Sequence, residues 1–243
     1  MVIYKPKGPA GEYVDYAVNL YNGCHHGCRY CYAPGILHRT REDFQAIVSP
    51  KKDILKQIEK EAPSERRNGE AIFLSFTHDP YQPIEKDLQI TRGAIEILKK
   101  AGNRLRILTK GGKLACRDFD LLDTNDFFGV TITDPSSIGY LEWEFYAASP
   151  EERIESLKEA YERGIQTWIS LEPVLNPDHA YEVISMTHSF VDEYKVGKLN
   201  HHREIERGID WQLFGEKVLS MLEGYGNRYY IKSDLKAYLA GKR

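Results

Sequence analysis

The sequence predicts an α/β fold in which one domain forms a full or partial barrel around a parallel sheet. Apolar runs alternate with amphipathic stretches about six times, and parallel neighbouring strands need a crossover helix between them. The chain has 243 residues, a length that α/β barrels commonly reach as one unit. No linker rich in Pro, Ser or Gly divides it. A doubly wound open sheet would give much the same pattern.

Strands are predicted where short apolar runs occur. The first, at 16–21, runs straight into a cysteine-rich loop, and the second, at 71–77, has the apolar character of a buried strand. Further strands, the last of them short and optional, are predicted at 104–109, 127–133, 166–174, 193–199 and 228–232.

Helices are predicted between these strands from apolar residues at helical spacing and from signals at the helix ends. Helix 49–62 has a Ser cap followed by Pro at the first helical position. Helices 87–102 and 149–164 are each closed by Gly. The remaining helices are predicted near 116–123 and at 177–188 and 210–226.

The composition is that of an ordinary globular protein, with 42% hydrophobic residues and a net charge of −3 from 33 basic and 36 acidic residues. Without a polybasic tail, the sequence shows no overall electrostatic footprint for nucleic acid. No apolar run reaches the roughly 18 residues of a transmembrane helix, and the first residues lack the apolar run of a secretory signal. We therefore expect a cytoplasmic protein without membrane association, in which clustered, reduced cysteines bind metal or do chemistry.

Polar segments follow the predicted strands, and in a barrel the carboxyl ends of the strands meet at one face, where chemistry gathers. These segments are "NGCHHGC", "THDPYQP", "TKGGK", "TDPSS", "EPVLN" and "GKLN". Loops at strand ends are commonly polar, so it is the shared face, and not any one segment, that indicates a functional site.

Three of the four cysteines lie close together, in the spacing Cys24-x3-Cys28-x2-Cys31. In one interpretation these thiolates and His25 or His26 form a tetrahedral zinc site. In the other they hold three irons of a [4Fe–4S] cluster and leave the fourth iron without a protein ligand. Thiolate suits both metals. Structural zinc usually joins two separated ligand pairs, and the sequence shows no second pair, which favours iron–sulfur.

This spacing directly after the first strand of a β/α barrel, with the aromatic Tyr30 before the last cysteine, resembles the radical S-adenosylmethionine (radical SAM) superfamily. The similarity is closer still to its spore-photoproduct-lyase-like branch and covers nearly the whole chain. The segments that carry it are "NLYNGCHHGCRYCYAP", "FLSFTHDPYQPIE", "LQITRGAIEIL", "RILTKGGKLACRDFDLL" and "VGKLN". The resemblance implies a single domain over residues 1–243, with a core at about 14–232, folded as a partial (β/α)6 barrel of the TIM type.

The resemblance also implies the cofactors and the reaction. Cys24, Cys28 and Cys31 would hold a [4Fe–4S] cluster whose open iron chelates S-adenosylmethionine. One electron, from a reductant such as flavodoxin or ferredoxin, would release a 5′-deoxyadenosyl radical. That radical would take a hydrogen atom from an unidentified small-molecule or nucleic-acid-derived substrate, in a reaction of the lyase, transferase or oxidoreductase type. The protein itself would position the cofactors and exclude water.

The resemblance assigns a binding residue to each chemical group of S-adenosylmethionine. Tyr30 would lie along the adenine, and Thr77 and Asp79 would contact the ammonium. Lys110 would pair with the carboxylate, and Thr131 would bind the ribose. Ordinary structural explanations also exist, namely a solvated loop lysine, β-forming threonines and a turn at the aspartate.

The candidates for catalytic residues are Tyr32, Glu172 and Lys198. Glu172 is placed to hold the ribose hydroxyls or a substrate amine, although Glu172-Pro173 is also typical of a strand end. Lys198 ends the sixth strand and is a candidate to meet an anionic substrate. His201 and His202 follow it and are candidates to line the substrate mouth.

Two other functions remain open at this point: a lyase that repairs the spore photoproduct in DNA, and a non-catalytic binding module stabilised by metal. Spore photoproduct lyases place a catalytic cysteine near the end of the second strand, where this sequence has Ser75, Phe76 and Thr77. The fourth cysteine, Cys116, lies one strand–helix unit later and is expected to be a small buried helix residue.

Overall fold

The computed structural model describes residues 1–63, 69–200 and 202–241. In that part of the chain the strands are β1 (Ile3–Tyr4), β2 (Tyr16–Val18), β3 (Tyr21–Asn22), β4 (Ser49–Pro50), β5 (Ile72–Leu74), β6 (Leu105–Thr109), β7 (Phe127–Thr131), β8 (Gln166–Leu171), β9 (Glu193–Val196) and β10 (Arg228–Ile231). The α-helices are α1 (Ala33–Ile36), α2 (Arg41–Ala46), α3 (Ile54–Glu61), α4 (Glu85–Leu88), α5 (Ile90–Lys100), α6 (Pro150–Glu162), α7 (Pro177–Thr187), α8 (Arg203–Gly208), α9 (Trp211–Tyr225) and α10 (Ser233–Leu239). Segments of 3₁₀ helix occur at Gly8–Glu12, Gly112–Leu121 and Gly139–Glu142. Within these described ranges, no helix has both the length and the apolar character of a membrane span.

One large sheet organises the described chain, with its strands in the order β1-β2-β5-β6-β7-β8-β9-β10. β1 is antiparallel to β2, and every later pairing is parallel. From β2 to β10 the spatial order follows the chain order, whereas a doubly wound sheet reverses its order at a switch point. The predicted partial barrel is therefore confirmed, and the doubly wound alternative is wrong. The optional strand at 228–232 exists as β10 and extends the six predicted parallel strands to a seventh.

The first crossover differs from the prediction. Ser49 and Pro50 do not begin a helix but form β4, which pairs antiparallel with β3, and the helix α3 begins only at Ile54. Proline is tolerated in such a short edge strand, because its missing N–H is not needed there. The predicted strand 16–21 is likewise divided after Val18. The chain thus leaves the main sheet before the cysteines and forms a separate two-stranded support for them.

Two other predicted helices are also changed. Helix 87–102 is divided into α4 and α5 at Gln89, which has a left-handed φ of 49°. The segment near 116–123 belongs to the 3₁₀ helix Gly112–Leu121, which contains Cys116. Cys116 packs, partly buried, against the hydrophobic core. Burial and a hydrogen bond with Glu159 raise the pKa of its thiol to about 12, so Cys116 has the character of an inert packing residue.

The barrel interior is filled with aromatic side chains that lie apart from the aliphatic core between sheet and helices. Trp168 on β8 is fully buried and donates its indole N–H to the carbonyl of Ile107 at 3.0 Å. Gly129 on β7 permits this, because a Cβ there would lie 2.3 Å from the indole nitrogen. The ring of Tyr13 packs at 5.9 Å from that of Phe73 and at 6.1 Å from that of Trp168. In barrels of this kind the functional site lies at the carboxyl ends of the strands, here called the barrel mouth.

Candidate cofactor site

The second residue of the cysteine loop (residues 22–32) is Gly23, which no other residue can replace without strain. Gly23 has a φ of +79°, and a Cβ there would lie 2.6 Å from the carbonyl oxygens of both Phe44 and Ile47. The N–H of Cys24 donates to the carbonyl of Phe44 at 3.0 Å. Because glycine alone accepts both the positive φ and the close approach, the loop packs directly against the backbone at the end of α2.

The loop is also attached to the segment that follows β5. The N–H of His25 donates to Oε1 of the fully buried Gln82 at 2.9 Å. His26 is only 2% exposed, and its Nδ1 lies 3.3 Å from Oδ2 of Asp79. The two histidines between the first cysteines thus anchor the loop above the barrel mouth, one through its backbone and the other through its imidazole.

A third support comes from the segment that precedes α6. The N–H of Arg29 donates to the carbonyl of Trp143 at 2.8 Å, and the N–H of Tyr146 donates to the carbonyl of His26 at 3.1 Å. Gly27, with a φ of +66°, lies against the ring of Tyr146. Three segments that are distant in sequence therefore fix the conformation of the cysteine loop.

The thiols of Cys24, Cys28 and Cys31 are all free, and the N–H of Cys31 donates to the carbonyl of Cys28 at 3.1 Å. Burial raises the pKa of each thiol, that of Cys28 to about 12, although the charge of Lys110 acts in the opposite direction. The charge of Cys28 adds to the rise at Cys24, and the charge of Cys31 adds to the rise at Cys28. All three thiols thus lie buried or half-buried within one loop.

The donor set fits a [4Fe–4S] cluster. Thiols that are buried in this way become thiolates when a metal compensates the negative charge. Among the described residues, no group of three or more His, Cys, Asp or Glu side chains is arranged to hold a single metal ion. In a [4Fe–4S] cluster each cysteine binds a different iron, so the three sulfur atoms need not converge on one point. The assignment of these cysteines as ligands stays a prediction.

Asp79, after β5, joins the barrel to the cysteine loop. Its Oδ1 accepts from the hydroxyl of Thr109 at 2.5 Å and from the N–H of Tyr81 at 2.8 Å, and its Oδ2 accepts from the N–H of Lys110 at 2.7 Å. Burial acts to raise the pKa of Asp79, but the neighbouring His26 and the hydrogen bonds hold it well below its ordinary value. The carboxylate is thus ionised and engaged by protein donors, and its contact with the S-adenosylmethionine ammonium stays a prediction.

Lys110, after β6, presents a half-buried ammonium group beside the cysteine loop. Its Nζ lies 5.5 Å from the centroid of the Tyr30 ring. Burial acts to lower its pKa, but the charges of Cys28, Glu144 and Asp79 outweigh this effect and raise the pKa above its ordinary value. In residues 1–63, 69–200 and 202–241, no carboxylate forms an ion pair with Nζ and no acceptor hydrogen bonds to it. Lys110 is therefore a shielded cation without a bound anion, which differs from a solvated loop lysine.

Behind Tyr30 lies a buried ion pair that the sequence analysis did not identify. The hydroxyl of Tyr30 donates to Oε1 of Glu144, and Nη2 of Arg153 lies 2.5 Å from Oε2 of Glu144. Both charged side chains are fully buried. Arg153 also donates to the carbonyls of Ala148 at 2.9 Å and Thr131 at 2.8 Å. Neither residue stands out in the sequence, because Glu144 follows no predicted strand and Arg153 lies in an amphipathic helix rich in charges.

The end of β5 contributes a second group of contacts at the mouth. Oδ1 of Asn19 accepts from the N–H groups of Phe76 and Thr77, at 3.0 and 3.1 Å, and the hydroxyl of Tyr32 donates to the carbonyl of Phe76 at 2.7 Å. Tyr32 and Thr77 therefore lie at the same strand end, while Thr131 is buried at the end of β7. Asn19 was missed by the sequence analysis, although a polar residue inside the apolar run "YAVNLY" was a signal for a strand end.

Glu172, after β8, lies at the opposite side of the mouth. Lys232 Nζ lies 2.7 Å from both of its carboxylate oxygens, and the hydroxyl of Tyr13 donates to Oε2 at 2.6 Å. Gly197 leaves room for this group, because a Cβ there would lie 2.8 Å from Cδ of Glu172. Because the sheet is parallel from β2 to β10, Glu172 after β8 and Tyr32 at the end of β5 lie at the same face of the sheet. Tyr13 and Lys232 were not predicted as site residues, because neither lies in a recognisable sequence motif.

Lys198 is placed differently from the other candidates. Its side chain is 7% exposed and is paired with Glu206 on α8, and none of its described contacts is with the cysteine loop. The ring of His202 lies 5.5 Å from that of Trp143, which links the segment after β9 to the support of the cysteine loop. His201 lies outside the described residues.

Comparisons with known sequences agree with this geometry. Residues 18–190 match the sequence pattern of the Radical SAM superfamily. An uncharacterized protein of Methanocaldococcus jannaschii is 32% identical over 198 residues, which cover 80% of this chain and 73% of that protein. An uncharacterized protein of Mycobacterium tuberculosis (strain H37Rv) is 30% identical over 175 residues, or 66% of this chain and 49% of that protein. The matched region thus spans about half the length of the mycobacterial relative.

Solved structures with the same fold are enzymes. A spore photoproduct lyase complexed with a dinucleoside spore photoproduct superimposes with a TM-score of 0.68 at 14% identity, over 96% of this chain and 80% of that one. SuiB of Streptococcus suis, bound to S-adenosylmethionine, gives a TM-score of 0.67 at 12% identity, over 89% of this chain and 50% of that one. At such identities the likeness concerns the fold, whereas the sequence match covers most of the chain. The chain therefore belongs to the radical SAM superfamily, and it is an enzyme whose cofactors are a [4Fe–4S] cluster and S-adenosylmethionine.

Proposed function

We propose that Cys24, Cys28 and Cys31 hold the cluster and that the enzyme removes a hydrogen atom from a substrate bound at the barrel mouth. The observation that carries this proposal is Lys110, a shielded ammonium beside Cys28 with no anionic partner among the described residues. The carboxylate of S-adenosylmethionine would supply the missing anion, and hydrogen bonds between charged groups are the strong ones.

When bound and reduced, the cluster and S-adenosylmethionine together supply a 5′-deoxyadenosyl radical. Lys110 binds the cofactor carboxylate, and the Tyr30 ring, whose hydroxyl is fixed by Glu144, lies along the adenine. Thr77 and Thr131, at two other strand ends, contact the ammonium and the ribose.

Asp79 acts with these residues chiefly as a positioning group, because it holds the backbone of Lys110 and the imidazole of His26 together. The aromatic filling below Tyr13 closes the barrel interior and limits the access of water from that side.

On the substrate side we favour Tyr32 as the residue that touches the substrate. Its side chain is 48% exposed, and its hydroxyl reaches the end of β5. Glu172 is charge-balanced by Lys232, so the two offer a substrate polar hydrogen-bonding groups without a net charge. Lys198 is the weakest of the three catalytic candidates, since Glu206 already neutralises it.

Further parts of the proposal concern the setting of the enzyme. We propose a flavodoxin or ferredoxin as reductant and the cytoplasm as location, where the free cysteines stay reduced. We also propose that residues 1–243 form one domain, with a core at about 14–232. The substrate, a small molecule or a group derived from nucleic acid, is left unassigned.

The test compares Lys110→Ala with Lys113→Ala, a matched control whose exposed side chain pairs with Glu155 at 2.7 Å. A charge-assisted hydrogen bond to a carboxylate is worth about 1.5–3 kcal/mol, so Lys110→Ala should weaken S-adenosylmethionine binding roughly 10- to 150-fold. Lys113→Ala should bind normally, and both variants should contain the same iron and sulfide. Titration calorimetry under anaerobic conditions measures the affinity, and release of 5′-deoxyadenosine with dithionite measures the chemistry. Equal affinity in both variants would remove Lys110 from the cofactor site.

A further inference from the structure

The buried pair of Glu144 and Arg153 has more contacts than a simple link between two elements requires. Arg153 uses its guanidinium to bind Glu144 and the carbonyls of Thr131 and Ala148 at the same time. Lysine has no such planar fork of donors, so these three contacts are specific to arginine. Arg153 is therefore held rigidly at the end of β7 and the start of α6.

Glu144 is also held by several groups, because one of its oxygens accepts hydrogen bonds and the other lies against a guanidinium. Oε2 faces Arg153, and Oε1 accepts from the hydroxyls of Tyr30 and Thr133. Burial acts to raise the pKa of Glu144, but Arg153 and then Lys110 lower it, so the carboxylate is charged and near both cations. Nevertheless Glu144 forms an ion pair with only one of the two cations among the described residues, and that one is Arg153.

Lys110 is the cation left over from this arrangement. Its ammonium lies 5.5 Å from the centroid of the Tyr30 ring, and the hydroxyl of the same tyrosine is bonded to Glu144. The flexible four-carbon side chain of Lys110 can turn toward a carboxylate on the same side of Tyr30 that is not already engaged. An unpaired buried carboxylate is strongly unfavourable, so it would capture the nearest cation.

We propose that Arg153 is a positioning residue for cofactor binding: it holds Glu144 so that this carboxylate does not pair with Lys110, whose ammonium stays free for the carboxylate of S-adenosylmethionine. The proposal rests on the proposed role of Lys110 and extends it to residues that do not touch the cofactor. Its physical content is a competition between two carboxylates, one in the protein and one in the cofactor, for a single ammonium.

If the two carboxylates compete for Lys110, a single substitution at Arg153 should weaken S-adenosylmethionine binding, and a second substitution at Glu144 should restore it. Arg153→Met frees Glu144 to pair with Lys110, so S-adenosylmethionine binding to cluster-loaded protein should weaken at least about tenfold. Adding Glu144→Gln removes the competing charge, so the double variant should bind within about threefold of the unchanged protein.

Anaerobic titration calorimetry gives these affinities, and the electron paramagnetic resonance spectrum of the reduced cluster gives a second readout that is independent of turnover. Addition of S-adenosylmethionine should change that spectrum in the double variant at concentrations where the spectrum of Arg153→Met stays unchanged. If Arg153→Met is not obtained folded, Arg153→Lys takes its place, because a lysine cannot keep all three contacts. Binding about tenfold weaker than in the unchanged protein, and restored when Glu144→Gln is added, is then expected.

Two results would overturn the inference: an Arg153 variant that binds S-adenosylmethionine as the unchanged protein does, or a double variant as weak as the single one. The second result would mean that Arg153 serves the fold alone. Lys110→Ala separates this inference from the proposed function. If Lys110→Ala binds normally, the role of Lys110 is wrong; if it binds weakly while Arg153→Met binds normally, only the role of Arg153 is wrong.

Discussion

Two buried carboxylates near Lys110 are each satisfied by donors of their own. Asp79 takes hydrogen bonds from Thr109 and from backbone N–H groups, and Glu144 takes Arg153 as its counter-ion. A buried carboxylate without donors would be costly, so these contacts are needed for folding. Their consequence at the residue scale is that the shielded ammonium of Lys110, beside the cysteine loop, stays available to a ligand.

Three of the four cysteines lie in the cysteine loop, whereas Cys116 lies elsewhere, in the 3₁₀ helix after β6. If Cys24, Cys28 and Cys31 are the cluster ligands, as proposed, each thiolate would bind a different iron, so replacing any one of them with alanine should abolish the oxygen-sensitive [4Fe–4S] centre. Cys116→Ala should leave the cluster intact, since Cys116 packs in the 3₁₀ helix after β6. Iron and acid-labile sulfide analysis of anaerobically purified protein, together with the visible absorption spectrum, measures the cluster. Loss of iron in Cys116→Ala equal to that in Cys24→Ala would contradict the three-ligand assignment.

At the scale of elements, the site depends on segments that lie just beyond the ends of the strands. The cysteine loop is held by the end of α2, by the residues after β5 and by the residues before α6. Parallel strands direct all these segments to one face, which is why residues far apart in the chain meet there. The aromatic filling of the barrel interior gives this face its floor, with Tyr13 between the floor and Glu172.

The substitution Gly129→Ala would show how tightly the aromatic side chains in the barrel interior are packed. A Cβ at Gly129 would lie 2.3 Å from the indole nitrogen of Trp168, so Gly129→Ala must displace a fully buried side chain and its hydrogen bond to Ile107. Overpacking of this kind typically costs about 1–3 kcal/mol, and we expect a lower apparent unfolding temperature in a thermal melt. The matched control is Gly224→Ala in α9, where a Cβ would meet nothing within 4 Å. Its melting temperature should be unchanged or higher, because alanine favours helix. A Gly129→Ala protein as stable as this control would mean that the interior is less tightly packed than described.

At the scale of the whole molecule, both ends of the described chain contribute to the mouth. The Glu12 carboxylate accepts from the N–H and hydroxyl of Ser233, each at 2.8 Å, and from the hydroxyl of Tyr230 at 3.0 Å. Lys195 donates to the carbonyls of Glu12 and Tyr13 at 2.9 and 3.1 Å. The segment before β2 is thereby fixed to the last strand of the sheet, and these contacts support the face on which the substrate is proposed to bind.

The activity of the whole enzyme is expected to differ from that of spore photoproduct lyase, despite the shared fold. Ser75, Phe76 and Thr77 follow β5, where those lyases carry a catalytic cysteine, and an O–H bond is too strong for serine to give its hydrogen readily to a carbon radical. We therefore expect no repair of the dinucleotide spore photoproduct, while 5′-deoxyadenosine is still formed. Anaerobic incubation with photoproduct, S-adenosylmethionine and dithionite, followed by chromatography, measures both products.

In that assay, 5′-deoxyadenosine serves as the internal control, because its formation shows that the cofactors are loaded and active. Recovery of thymidylyl-thymidine would contradict the prediction and would identify the enzyme as a repair lyase after all. Formation of 5′-deoxyadenosine without it supports a different substrate for the same chemistry.

The sequence by itself determined the local features of this protein. The cysteine spacing, the alternation of strands and helices and the polar ends of the strands are all properties of neighbouring residues. They were enough to predict a barrel-like α/β fold and the positions of Lys110 and Glu172 at strand ends, and the resemblance to the radical SAM superfamily added the cofactors and the partial barrel. Local signals also misled in places, as at Ser49 and Pro50, which resemble a helix start but form a strand because pairing with β3 outweighs the preference of a single turn.

Only the tertiary structure decided which of these residues is free and which is engaged. Tyr30 meets Glu144 across 114 positions of the chain, and Tyr13 meets Glu172 across 159. Such contacts depend on how the strands curl and how the loops pack, and no periodicity or motif encodes them. The sequence shows that Lys110 and Glu172 are charged residues at strand ends, but it does not show which of them has a partner of opposite charge. Packing gave the carboxylate of Glu172 a partner in Lys232. It left the ammonium of Lys110 without one in the described chain, because the carboxylates of Asp79 and Glu144 are already engaged by other groups.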